Sequence, residues 1–195
     1  MKLKTALLAT ALTSVGFAAS AQELTVMSWG GAYTKSQVEA YHKPFTAATG
    51  VVVNSVDADN PATPIKAQVE AGNVSIDVAD VEFSDAVRLC DEGLLEEIDT
   101  SILPAAPDGT SAEDDFIEGA LQDCAVGNIV WSTVMAYNAD NNPTAPDSID
   151  DFFNTADFPG KRGLRKSAKA TLEMALMGDG VPAGEVYDLL ETDEG

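Results

Sequence analysis

The chain has 195 residues, with 32 acidic side chains against 11 basic ones and a formal net charge of −21. That balance repels nucleic acid and anionic membrane surfaces, so neither fits as a partner. Two readings of the charge stay open: a solvated acidic surface that maintains solubility, and a preference for a cationic ligand.

Residues 1–21 read as a signal peptide. Lys2 and Lys4 make a positive start, the run from Ala6 to Ala18 is apolar or small, and Ala19-Ser20-Ala21 supplies a small-x-small cleavage pattern. The run is too short to span a bilayer comfortably, which speaks against a retained anchor. Gln22 would then begin a mature chain exported to a periplasm or cell exterior.

From Glu23 onward strand and helix patterns alternate. LTVMSW (24–29) reads as a buried strand, followed by Gly30-Gly31. Val38, Tyr41, Phe45 and Ala48 fall at helical spacing in a helix closed by Gly50, which Pro44 should kink or split. VVVNSV (51–56) is a β-branched second strand. After the turn DADNPATP comes a short helix carrying Ile65 and Val69 and stopped by Gly72. SIDVADVE (75–82) reads as a third strand, with Ser84 able to cap the helix DAVRLCDE that Gly93 ends. This βαβαβ order is the half-unit of a doubly wound sheet and gives an α/β class.

Residues 99–115 are rich in Pro, Asp, Ser and Gly and read as surface loop. VGNIVWSTVMAYN (126–138) is an extended segment apolar enough to be buried. The turn-rich ADNNPTAPDSIDDF leads into a short helix, GKRGL into a further strand-to-helix junction, and ATLEMALMGDG and AGEVYDLLETDEG are helices. About 57 residues follow position 138, with one strand among them, too little sheet for a second core. The expectation is a second lobe that is either a small appendage or begun and not completed.

Cys90 and Cys124 are the two cysteines. An oxidising compartment favours a disulfide, closing a loop of about 34 residues, over two free buried thiols. A metal site would need more ligands at short spacing.

Catalysis finds no support in the residues. His42 is the single histidine, and Gly160-Lys161 lacks the upstream Gly and following hydroxyl of a phosphate-binding loop. There is no G-x-S-x-G elbow and no G-x-G-x-x-G after a strand, and Asp57-x-Asp59-x-Pro61 lacks the Gly and distant Glu of a calcium loop. No cofactor is implied.

Binding fares better, because ligands of open α/β sheets sit outside the carboxyl ends of the strands. SWGGAY places Trp29 and Tyr33 there as aromatic surfaces around Gly30 and Gly31, whose backbone can approach a ligand and whose amides attract anions. EFSD puts Glu82 and Phe83 near the same crevice.

LTVMSWGGAYTKSQVEAYHKPFTAATGV, IDVADVE, DEGLLEEID, IVWSTVMAYN and FPGKRGLRKSAKATLEMALMGDGV together resemble the periplasmic solute-binding proteins of ABC importers. The nearest branch is the spermidine/putrescine-binding type, and the likeness covers almost all of the mature chain. It implies a periplasmic-binding-protein-like two-lobe fold. Lobe 1 would span 22–127, a crossover or hinge 128–138, and the start of an incomplete lobe 2 139–195, with the chain truncated within that lobe. It implies a monomeric periplasmic protein, without enzymatic activity, that closes on a small solute and delivers it to an inner-membrane permease.

The resemblance also implies a ligand set. Trp29 and Tyr33 match the aromatic pair after the first strand, Glu82 and Phe83 the loop after the third, and Trp131 and Ser132 the crossover that faces the ligand. A polyamine is the family default. FPGKRGLRKSAK departs from it, since Lys161, Arg162, Arg165, Lys166 and Lys169 are five of the nine basic residues beyond position 21. Arg165, Lys166 and Ser167 are expected to approach the ligand, and two cations there would repel a polyamine and suit a carboxylate or phosphonate. Lys161 and Arg162 are expected on the surface, pairing with carboxylates. The rivals are a secreted enzyme on a two-lobe scaffold and a binding lobe used as a sensor domain.

Overall fold

The computed structural model describes residues 22–195, and the expected signal peptide at 1–21 lies outside the described residues. The chain divides into two compact units, Met1–Asn128 and Ile129–Gly195.

The first unit is built on three parallel strands in the order β2-β1-β3: β1 (Glu23–Ser28), β2 (Val52–Asp57) and β3 (Val78–Ala79). β1 runs in the middle, paired from Glu23↔Val52 to Ser28↔Asp57 on one side and through Val26↔Val78 and Met27↔Ala79 on the other. Its last two residues are accordingly buried, Met27 at 6% exposure and Ser28 at 1%. The third strand is shorter than its β-branched composition predicts. The Asp77 carboxylate takes the Thr25 amide at 2.7 Å in place of a backbone carbonyl, and the regular ladder stops there.

The helix after β1 runs from α1 (Gly31–Gln37) through a π-helical turn (Val38–His42) into α2 (Lys43–Thr49). Pro44 lacks an N–H and its ring crowds the carbonyl four residues back. The widened turn before it absorbs that conflict, so the expected kink takes the form of a π turn. Gly50 closes the helix in the left-handed conformation (φ 78°), its amide donating to the Thr46 carbonyl at 2.8 Å.

α3 (Thr63–Glu70) and α4 (Phe83–Asp91) complete the βαβαβ order. α4 starts earlier than a Ser84 cap would have it. Glu82 is the capping residue, and its carbonyl takes the Asp85 and Ala86 amides at 2.9 Å, leaving Ser84 inside the first turn. The short α5 (Ala112–Asp115) begins at Ser111, whose hydroxyl accepts from the Asp114 amide at 3.3 Å. The hairpin β4 (Leu121–Gln122) and β5 (Ala125–Val126) follows. A Cys90–Cys124 disulfide, with Cα atoms 5.8 Å apart, ties that hairpin to the end of α4. Leu89, one residue before the bridge, is fully buried at 0% exposure.

The second unit consists of helices among the described residues: α6 (Ile149–Phe153), α7 (Thr171–Gly178) and α8 (Val186–Leu190). Val186 is its buried apolar residue, at 2% exposure. Gly178 is needed where it stands, because a Cβ there would meet the Phe153 ring at 2.4 Å. Two expectations are corrected in this half. The segment 127–138 forms no strand and is not buried: Val130 is 76% exposed and Val134 78%. A strand needs a partner along its backbone, and among the described residues the pairing ends at Gly127, whose amide donates to the Ala120 carbonyl at 2.7 Å, with no strand beside 128–138. GKRGL likewise forms no strand, and the chain enters α7 from Ala170 in the left-handed conformation (φ 65°).

Among the described residues no helix is long and apolar enough to cross a membrane.

Candidate functional site

At the carboxyl ends of the strands β1 leaves Ser28, Trp29 and Gly30, β2 ends on Asp57, and Asp80 follows β3. The Ser28 carbonyl accepts the Ala58 amide at 2.8 Å and the Met27 carbonyl accepts the Asp80 amide at 2.9 Å, so these ends stay in register beyond the ladder. Gly30 (φ 83°) is required for a second reason. A Cβ at this position would lie 3.2 Å from Asp57 Oδ2, so glycine is what lets the carboxylate close against the turn. The Gly30 amide donates to Thr34 Oγ1 at 2.8 Å. Gly31 also has positive φ, and open space surrounds the position of its absent Cβ.

One face of α1 meets these ends through a relay of hydrogen bonds. The Ser28 hydroxyl donates to Gln37 Oε1 at 2.6 Å, and Gln37 Nε2 donates to Asp80 Oδ2 at 2.7 Å. Ser28 and Gln37 are both buried. Burial first, then the hydrogen bond and the charge of Asp80, hold Tyr33 far above the usual tyrosine range; the Tyr41 phenol adds to the rise and Asn128 opposes it.

Trp29 is half-buried beside this cluster, and Glu82 and Phe83 open α4, with Phe83 62% exposed. His42 lies apart from the strand ends, its Nδ1 2.9 Å from the Ser55 hydroxyl on an exposed surface. Sequence reasoning put Ser28 and Asp57 at the crevice only as members of SWGGAY and of DADN after the second strand, and missed Gln37, Asp80 and Asn128. A signal existed for Asp80, which falls near the carboxyl end of the predicted strand 75–82. Nothing in the local pattern marks Gln37 or Asn128.

The second unit carries the rest of the expected set. Trp131 (53% exposed) and Ser132 lie on the open segment after Asn128. Arg165 and Lys166 are exposed and Ser167 half-buried, in a turn held by the Arg165 carbonyl, which accepts from the Ser167 amide and the Thr171 hydroxyl, each at 2.9 Å. Arg162 departs from expectation. Its guanidinium donates to the carbonyls of Phe152 and Phe158, with the Asn154 and Gly160 carbonyls 3.4 Å away, and lies 5.7 Å from the Phe152 ring centroid. It pairs with backbone at the end of α6, where the last carbonyls and the negative helix pole attract a cation, and not with carboxylates.

Among the described residues no group of three or more His, Cys, Asp or Glu could hold a metal ion.

Residues 40–195 match the family described as bacterial extracellular solute-binding protein. A gamma-aminobutyric acid-binding protein of Pseudomonas aeruginosa is 44% identical over 188 residues, covering 94% of this chain and 51% of its own. The PBP MotA from A. tumefaciens B6, solved in complex with glucopine, aligns with a TM-score of 0.80 at 30% identity, over 89% of this chain and 51% of that one. The PBP AgtB from A. tumefaciens R10, solved in complex with agropinic acid, aligns at 0.74 and 34% identity, over 86% and 49%. This chain therefore spans about half the length of the relatives it matches. None of the three names carries a polyamine, so the spermidine/putrescine branch is not where they point. The fold is α/β of the periplasmic-binding-protein type, and the chain belongs to the bacterial extracellular solute-binding protein family.

Proposed function

We propose that this protein is the periplasmic solute-binding component of an ABC importer, and that its solute is a small organic acid that also carries an amino group. The observation that carries the reading is the 44% identity, over 94% of the chain, to a gamma-aminobutyric acid-binding protein. The site chemistry supports it. On the first unit, Trp29 and Tyr33 lie beside Asp57 and Asp80, an acidic and aromatic setting that suits an ammonium group. On the second, the Arg165-Lys166-Ser167 turn supplies cations and a hydroxyl for a carboxylate. Residues 128–138 serve as the crossover about which the protein closes on its solute, and an inner-membrane permease receives it. Export rests on the segment 1–21.

The anionic alternative thus takes the place of the polyamine default. A polyamine would satisfy the first unit's carboxylates and meet like charge at Arg165 and Lys166. Titration calorimetry with γ-aminobutyrate and spermidine in parallel is the test. The expected result is heat with γ-aminobutyrate and none with spermidine. Binding of spermidine without a response to γ-aminobutyrate would overturn the choice of solute.

A further inference from the structure

Gln37 stands on α1, outside the residues that sequence pattern assigns to the ligand, yet both ends of its side-chain amide are committed at the strand ends. Its Oε1 accepts from the Ser28 hydroxyl at 2.6 Å, and its Nε2 donates to Asp80 Oδ2 at 2.7 Å. The Ser28 oxygen itself lies 3.3 Å from Asp80 Oδ2, so side chains from β1, α1 and the end of β3 close on one another. The amide has one workable orientation. Turned over, it would set Gln37 Oε1 against the Asp80 carboxylate, acceptor against acceptor. With Ser28 at 1% exposure and Gln37 at 5%, no water is at hand to replace a lost partner.

We propose that Gln37 is a positioning residue: backed by Ser28, it clamps one oxygen of Asp80 at the carboxyl end of β3, so that the carboxylate stands ready for the amino group of the solute. The backbone of Asp80 is held as well, through its amide on the Met27 carbonyl at 2.9 Å. Asp80 is half-buried where Ser28 and Gln37 are buried, so the relay runs from the interior outward and ends on the carboxylate. A carboxylate offers about four lone-pair sites, and the relay engages those of Oδ2. An ammonium can therefore bond to Asp80 without breaking the hold of Gln37. A carboxylate ordered before the solute arrives also loses little rotamer freedom at binding. Gln37 itself touches no solute and acts through Asp80.

This inference rests on the proposed solute-binding role for its consequence, and two measurements separate them. The first needs no solute. The side-chain amide NMR signals of Gln37, assigned by their loss in Gln37→Met, report its hold on Asp80 through proton exchange with water. Exchange in the wild type should be at least about tenfold slower than that of an exposed glutamine amide, and should speed up in Asp80→Ala. Exchange at the exposed rate in the wild type, or no change in Asp80→Ala, overturns the proposal. The wild-type comparison stands even if Asp80→Ala does not fold.

The second is a double-mutant cycle on γ-aminobutyrate affinity. Gln37→Met keeps the length of the side chain and removes its amide; it should weaken binding about tenfold in the wild type and have little effect in Asp80→Ala. Gln37→Glu keeps an acceptor for Ser28 and loses the donor to Asp80, so it should weaken binding at least as much. No loss of affinity in either Gln37 variant overturns the proposal. A full Gln37→Met effect in the Asp80→Ala background means that Gln37 supports the fold or touches the solute by itself, and also overturns it. Slow Gln37 exchange without γ-aminobutyrate binding in the wild type would defeat the functional reading and leave the hold on Asp80 intact.

Discussion

The two units hold their polar groups in opposite ways. In the first, side chain meets side chain: Ser28, Gln37 and Asp80 form one relay at the ends of a parallel sheet. In the second, the basic side chain singled out by sequence meets backbone: Arg162 is spent on carbonyls around the end of α6. The difference follows from what each unit is made of. A parallel sheet satisfies its own backbone and releases side chains at its carboxyl edge for a ligand. A set of short helices leaves the last carbonyls of each helix without intrahelical partners, and the nearest guanidinium is drawn there. Five clustered basic residues therefore do not amount to five residues for a ligand.

Breaking the covalent tie is the largest test of this contrast. The Cys90–Cys124 bridge lies wholly within the first unit and closes 34 residues of chain. Replacing both cysteines by serine should cost about 3–4 kcal/mol in the chain-entropy account. The two tryptophans report separately, since Trp29 lies in the first unit and Trp131 in the second. Urea unfolding followed by fluorescence, with each tryptophan in turn replaced by phenylalanine, should show the Trp29 transition moving and the Trp131 transition staying. A common shift of both would mean that the units unfold as one cooperative body.

Arg162 and its neighbours sharpen the contrast from the other side. Arg162→Ala should cost about 2 kcal/mol, the scale of hydrogen bonds from a charged donor, and should move the Trp131 transition. Arg162→Lys should recover little of it, because an ammonium cannot span carbonyls spaced for a guanidinium fork. Arg165→Ala and Lys166→Ala should leave stability within about 0.5 kcal/mol and weaken γ-aminobutyrate binding about tenfold each. If Arg165→Ala destabilises the unit as much as Arg162→Ala does, the cluster is structural throughout.

The alternation of strand and helix and the first helix were legible because their determinants are local. β-branched runs mark β1 and β2, Gly50 marks the helix end, and Pro44 announces a disturbance whose form, a π turn, depends on packing. The disulfide was legible from pairing and compartment. The segment 127–138 misled because composition reports how well residues fit a strand and not whether a partner exists. Gln37 and Asn128 were illegible for another reason. Gln37 depends on Asp80, 43 residues further on, and Asn128 acts on Tyr33, 95 residues before it, and no periodicity connects positions so far apart.

The smallest expected effect compares one tyrosine from each unit. Tyr33 and Tyr187 are both held above the ordinary tyrosine range, Tyr33 by burial and Asp80, Tyr187 by its hydrogen bond to Glu173. A phenol whose folded value is raised above the unfolded one contributes stability that is complete below the unfolded value, about pH 10, and is lost as pH rises through the folded value. Both units should therefore weaken above pH ~10, and the loss should be steeper in the first. Tyr33 is half-buried, whereas Tyr187 is 65% exposed and water screens its partner. Tyr33→Phe should flatten the alkaline fall of the Trp29 urea midpoint and leave that of Trp131 unchanged. An equally steep fall in Tyr33→Phe would mean that burial and the charge of Asp80 give the phenol no preference for its neutral form.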